Sequence, residues 1–228
     1  MTPATDEPSA PEQRRTGLDD PRALDILTTE HWSLLSARTL GYQEMFGRTT
    51  IFIGVLSGTI IALALLAQVT RFGDETLTFA AVLFSVSLFI GLATSVRCVA
   101  INLEDARWLV GMSLLRRAYL QIVPELEPFF VASHQPSVES QTLGYGSPQT
   151  FANLAKSLTT TSSVVAALNS VLAGTLASDL GALVGLALTP TLAIGACVSL
   201  VSAVLHVLYA ARFRRRHVPA TRSPNSVA

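Results

Sequence analysis

The chain is 228 residues long, 50% hydrophobic and only 14% charged, with 16 Lys and Arg against 16 Asp and Glu. Soluble domains seldom combine so much apolar mass with so little charge, so the composition points to a membrane protein. Aromatic residues make up 7%, leaving Ala, Val, Leu, Gly and Ser to supply the apolar bulk.

Residues 1–24 are polar and Pro-rich, lack the apolar core of a cleavable signal peptide, and predict a disordered tail. Over 25–48, Leu27, His31, Leu34, Arg38, Tyr42 and Met45 recur at spacings of three and four with no Pro between them. This predicts a helical arm running unbroken into the first apolar stretch, 49–70. A turn near Gly73 leads to the second stretch, 77–96. Ile101, Asp105, Trp108, Met112, Leu115, Tyr119 and Ile122 then carry the helical stripe through 97–123, and Pro124 and Pro128 end it. Residues 124–147 have the Pro, Ser and Gly content of a loop. Ser147 followed by Pro148 predicts the start of a helix over 148–178, entering the membrane near Leu158 so that 158–177 is the third apolar stretch. The last apolar stretch is 183–211, with Asp179 as its expected N-cap and a kink or tilt expected at Thr189 and Pro190; a basic tail, 212–228, follows.

Each apolar stretch has about the ~20 residues needed to cross a bilayer, and none contains Asp, Glu, Lys or Arg. The predicted fold is an all-α polytopic membrane protein of four transmembrane helices, the first two extended into a cytoplasmic two-helix stalk. Orientation follows from the basic residues. Arg14, Arg15, Arg22, Arg38 and Arg48 precede the first stretch; Arg97, Arg107, Arg116, Arg117 and Lys156 lie between the second and third; Arg212, Arg214, Arg215, Arg216 and Arg222 follow the fourth. Only Arg71 falls on the other side, so both termini and the middle segment are expected in the cytoplasm, with short outer turns around Gly73 and Leu180. Arginine far outnumbers lysine, a bias of GC-rich bacterial genomes.

Folding the first two helices about their turn sets residues whose numbers add to about 147 at one height. Leu35 then faces Met112 and Trp32 faces Leu115. Arg38 and Asp105 interrupt the two apolar seams within about a turn of each other, and they either pair or reach water separately. Glu30 with Arg116 or Arg117 is a second candidate pair.

Every span carries a row of small residues that lets helices approach closely: Gly54, Gly58 and Ala62; Ser87, Gly91 and Ser95; Ala166, Ser170, Gly174 and Ser178; Thr191, Gly195, Ser199 and Ala203. Asn169 is expected either to hydrogen-bond a neighbouring helix or to line a pore, and His206 to lie near the cytoplasmic interface. Cys98 and Cys197 have no ligand-like spacing and read as small apolar fillers. Arg214, Arg215 and Arg216 either contact lipid headgroups or serve only to orient the chain. His134, the run Gly144, Tyr145, Gly146, and the carboxylates Glu125 and Glu127 read as loop residues, because no phosphate-loop Lys or metal-ligand spacing accompanies them. No catalytic, cofactor or metal residue is assigned.

The segments ILTTEHWSLLSAR, GYQEMFGR and RRAYLQIVPELEPFF resemble stretches of uncharacterised bacterial integral membrane proteins with several spans. The resemblance implies no activity, but it places the family's distinctive sequence in the stalk. The expected protein is therefore a non-enzymatic inner-membrane scaffold or interaction module, homo-oligomeric, contacting the lipid bilayer and a cytoplasmic protein, with no nucleic-acid partner and no cofactor. A small oligomeric channel or permease, lined by hydroxyls and small residues, is the alternative.

Overall fold

The computed structural model describes residues 17–71, 73–130 and 160–217, with side chains described as far as 213. Residues 1–16 of the expected tail, most of the loop over 124–147, the Ser147–Pro148 helix start and residues after 217 lie outside these; the rest of that tail is ordered and not disordered as expected, with a 3-10 turn at Gly17–Asp19 and a long helix from Ala23. Among the described residues, four long helices carry the fold: α1 (Ala23–Thr70), α2 (Asp74–Ile122), α3 (Thr161–Leu183) and α4 (Leu188–His217). All four are long and apolar enough to cross a membrane.

Continuity in α1 and α2 follows from their lack of Pro, and each end has a local cause. Arg71 takes the left-handed conformation, with φ 54°, and closes α1. Gly73 then donates its amide to Thr70 O at 3.1 Å, and α2 starts at once with Asp74 and Glu75, whose charges suit a helix N-terminus. The hydroxyls of Thr70 and Thr76 hydrogen-bond across this turn. At the far end Pro124 has no amide hydrogen and keeps Val123 out of the helical region, so α2 gives way to a short 3-10 turn, Pro124–Phe129. Beyond the apolar spans, α1 and α2 each continue for roughly 26 residues, arms of about 40 Å.

Three expectations about the second hairpin are corrected. Thr160 is extended, with ψ 148°, and its side chain accepts from the Ser163 amide, so the spanning helix starts at Thr161 instead of continuing from 148. Asp179 does not cap α4, because it lies inside α3. The turn falls instead at Gly185, whose φ of 78° lets Leu186 N reach Gly181 O at 3.1 Å and Gly185 N reach Ala182 O at 2.9 Å. This paired pattern closes a helix on a left-handed glycine. Finally, Pro190 does not kink α4, because the helix begins at Leu188 and a first-turn Pro removes no intrahelical bond.

The helices pack in chain order, α1 on α2, α2 on α3 and α3 on α4, with α1 and α4 in the outer positions. Phe52, Val165 and Leu172 form the buried centre where α1, α2 and α3 meet, and Leu56, Phe84, Leu88, Ile90 and Leu168 pack around it. Met45, Cys98 and Ile101, with Tyr42 against them, continue the core toward the stalk. Cys98 is thus a buried filler, whereas Cys197 is exposed on α4.

Candidate functional site: a polar clasp between the stalk arms

In a helix, residues four apart share a face, so Arg38 and Tyr42 project together from α1. Both meet Asp105 of α2. Arg38 Nε donates to Asp105 Oδ1 at 2.6 Å, and the Tyr42 hydroxyl donates to Asp105 Oδ2 at 3.0 Å. The Arg38 guanidinium also lies 5.6 Å from the centre of the Tyr42 ring. Asp105 is deeply buried, its side chain 3% exposed, while that of Arg38 retains 30%. Burial is the largest influence on Arg38 and disfavours its charge, but the hydrogen bonds to Asp105 and Tyr42 outweigh it and raise the guanidinium pKa. Of the two accounts of Arg38 and Asp105, pairing or separate escape to water, the geometry is that of a pair.

A second charged group lies where the arms meet the apolar spans. Arg97 grips Glu44 with two hydrogen bonds, Nε to Oε1 at 2.9 Å and Nη2 to Oε2 at 2.7 Å, and also reaches Glu104 Oε1 at 3.1 Å. Arg48, one turn along α1, adds its own bond to Glu44 at 2.9 Å. Hydrogen bonds from Arg97 and then Arg48 hold the Glu44 carboxyl down to about 2, and Glu44 in turn pushes the Arg97 pKa up. Arg48 immediately precedes the first apolar stretch and Arg97 immediately follows the second. The cluster therefore forms a charged collar at their edge.

Beside the clasp and from there toward the tip, glycine admits large side chains from the opposite arm. A Cβ on Gly41 would lie 2.9 Å from Trp108 Cζ3, and one on Gly111 would lie 3.0 Å from Leu34 Cδ1. The His31 and Tyr119 rings meet nearby in a tilted arrangement, their centres 6.1 Å apart. The expected pairing of Trp32 with Leu115 and Leu35 with Met112 is corrected: Leu115 and Met112 are buried, but Trp32 and Leu35 are exposed. The buried stripe of α1 runs in phase with Arg38, Tyr42 and Met45, which selects His31 and Leu34; Trp32 lies one residue, about 100°, around the helix. Glu30 makes no ion pair with Arg116 or Arg117.

The small-residue rows divide. On α2, Ser87 and Gly91 are buried, and Ser87 shares a 3.0 Å hydrogen bond with Thr59 of α1. On α3 and α4, Ser170 and Gly174 are buried, while Gly174, Ser178, Gly195 and Ser199 interlock so closely that a Cβ on Gly174 or Gly195 would collide with the facing serine. Gly54 and Gly58 do not pack within the chain: a Cβ on either would meet nothing, because the α1 face against α2 uses Phe52 and Thr59 instead. Asn169 is fully buried beside Gly91, and neither amide atom has a hydrogen-bond partner; it does not bond a neighbouring helix as expected. His206 Nδ1 donates to Ser202 O of its own helix at 2.8 Å. The side chains of Arg214, Arg215 and Arg216 lie outside those described.

Sequence reasoning overlooked Tyr42 as the third member of the clasp, the whole collar, and the 2.7 Å bond from Asn102 Nδ2 to Ser162 Oγ that ties α3 to α2. Glu44 and Arg97 lie within two turns of each other when the hairpin is folded about Gly73, a gap that a long arginine side chain can span, and Arg48 follows Glu44 by four residues. Those two signals together could have identified the collar. Glu125 and Glu127 are exposed on the 3-10 turn, and no group of three or more metal-ligating side chains occurs among the described residues. The chain matches no family model, no curated protein and no solved structure.

Proposed function

We propose that the chain is a non-enzymatic, homo-oligomeric scaffold of a bacterial inner membrane, with both termini and the stalk in the cytoplasm and the stalk tip presented to a protein partner. The clasp carries this reading. A carboxylate whose two oxygens are both taken by side chains of the opposite arm holds a surface in shape and leaves no oxygen free for substrate. The collar supports it further, because its ion pairs sit at the edge of the apolar spans, where a membrane interface lets charged groups reach water while fixing the helices in depth. The apolar interiors of the spans agree with an anchoring role, and the one-sided basic residues support the orientation.

The test is the mass of the full chain in detergent or nanodiscs, together with ion and solute flux in liposomes. A defined multimer without flux is expected. A monomer would overturn the scaffold as proposed, and selective flux from a multimer would replace it with the channel or permease reading.

A further inference from the structure

Two stripes of α3 turn inward. Gly174, Ser178 and Gly181 face α4, where they meet Gly195, Ser199 and Thr191. Val165, Asn169, Leu172, Leu176 and Asp179 follow one another at spacings of four and three on the other side, turned to α1 and α2. Val165 and Leu172 of this stripe pack on Phe52, and Asn169 lies on Gly91. The stripe ends on a carboxyl group. Asp179 stands four residues before the end of α3, about 6 Å short of it along the axis, and is 9% exposed.

Asp105 and Asp179 are the two buried carboxyl groups among the described residues, and their surroundings are opposite. Asp105 receives Arg38 on one oxygen and Tyr42 on the other. Asp179 Oδ2 is sealed from solvent with no hydrogen-bond partner, and no ion pair includes the residue. Hydroxyls on the neighbouring turns are committed elsewhere: Ser178 to Thr191 O at 3.3 Å, Ser87 with Thr59, and Thr76 with Thr70. No Asp, Glu, Lys or Arg occurs on α1 from Thr49 to Thr70, on α2 from Thr76 to Val96, elsewhere on α3, or on α4 from Leu188 to Ala211. Arg71, Asp74 and Glu75, at the turn between α1 and α2, are exposed and form no ion pair with Asp179, and His206 lies toward the other end of α4.

An unpaired carboxylate is among the costliest groups to bury in a membrane helix, whereas a carboxylic acid that keeps its proton is uncharged and fits among apolar side chains. The surroundings of Asp105 suit an anion; those of Asp179 suit the neutral acid. We propose that Asp179 is a proton-binding site near the outer end of α3, and that the bound proton holds the outer ends of α2 and α3 together. Loss of the proton leaves a carboxylate that must reach water, and Oδ2 reaches water only if the last turn of α3 moves away from α2. The orientation proposed above enters only as the side from which the proton comes.

The experiment uses the full-length chain in lipid bilayers over about pH 5 to 9. Infrared spectra of chain carrying isotope-labelled Asp read the carboxylic-acid carbonyl directly. Spin labels at Thr78→Cys on α2 and Leu180→Cys on α3, both exposed positions, in a Cys197→Ser background with the buried Cys98 left in place, read the distance between the outer ends. At neutral pH the chain should show an acid band that Asp179→Asn lacks. Raising the pH should remove this band and lengthen the label distance with the same midpoint, while Asp179→Asn, neutral at every pH, keeps the short distance throughout. Absence of an Asp179 acid band at neutral pH would overturn the proposal, because the group would then be an anion with a partner outside the chain. A band that persists at the highest pH would overturn it too, by making Asp179 a fixed structural acid. So would a band lost without any change in distance, or a distance that lengthens equally in Asp179→Asn.

Discussion

Asn169 Oδ1 occupies the space that a Cβ on Gly91 would fill, so the α3 amide lies directly against the α2 backbone. The Phe52 ring of α1 closes the same spot, 2.7 Å from that Cβ position. Three helices thus converge on one hydrogen atom of Gly91, and the amide oxygen faces the Cα–H in a weak polar contact. Gly91→Ala should separate α2 from α3 and cost about 1–3 kcal/mol, as overpacking of a close-packed site does. Asn169→Ala should cost less, because it removes two unpartnered buried polar atoms along with the packing. Thermal or denaturant unfolding in detergent gives the comparison; an Asn169→Ala loss larger than that of Gly91→Ala would show that the amide has a strong partner.

The way the stalk was legible in sequence, and the second hairpin was not, has a physical basis. In the arms polar residues alternate with apolar ones, so the stripe Leu27, His31, Leu34, Arg38, Tyr42, Met45 marks one face, and the same face is turned toward α2. In the spans almost every residue is small or apolar, and periodicity cannot distinguish the face that packs from the face that does not. Gly54 and Gly58 were therefore as plausible at the α2 contact as Phe52 and Thr59, and only three-dimensional packing separates them. At the second turn, Asp179 offered a cap and Leu180 a place for the turn, yet neither ends α3. The deciding signal was Gly185 followed by Leu186, a helix-closing pair six residues beyond Asp179 that lies within apolar sequence.

Glu44 sets a pH window for the collar. Its pKa is held at about 2 in the folded chain against an ordinary 4.5. A carboxylate depressed by folding contributes stability that is fully present above its unfolded pKa and is lost as pH falls toward the folded value. The stability difference between the unmodified chain and Glu44→Gln should thus be constant above about pH 5, shrink as pH falls below 4.5, and vanish near pH 2. Tryptophan emission during unfolding in detergent, followed for both chains across this range, isolates Glu44 from the other carboxylates. A difference that grows on acidification would mean that Glu44 is not held as an anion.

Orientation gives a pattern of five readings. Reporters fused after Arg48, Gly73, Ser140, Gly185 and Val218 should read in, out, in, out and in, the fourth site standing at the turn that the structure places at Gly185. An external reading at Ser140 would reverse the placement of the stalk and, with it, the compartment of any partner.

The clasp predicts an asymmetry between its two charges. Arg38→Ala strands the Asp105 carboxylate in a site where its side chain is 3% exposed, with only Tyr42 left to donate to it, and breaking a buried pair in this way costs about 3 kcal/mol. Asp105→Ala leaves a guanidinium whose side chain is 30% exposed and flexible enough to reach water, so its cost should be nearer 1–2 kcal/mol. Removing both charges should cost less than the two losses added, by about 1–2 kcal/mol, because the stranded carboxylate disappears with its partner. Tyr42→Phe removes one bond to the same carboxylate and should cost about 1 kcal/mol in the presence of Arg38, and more in its absence. Limited proteolysis of the stalk, with emission from Trp32 and Trp108, follows opening of the two arms. Equal losses from Arg38→Ala and Asp105→Ala that simply add in the double variant would mean that each charge faces water independently, and that the arms are held by the collar and by Trp108 over Gly41 and Leu34 over Gly111 without a clasp.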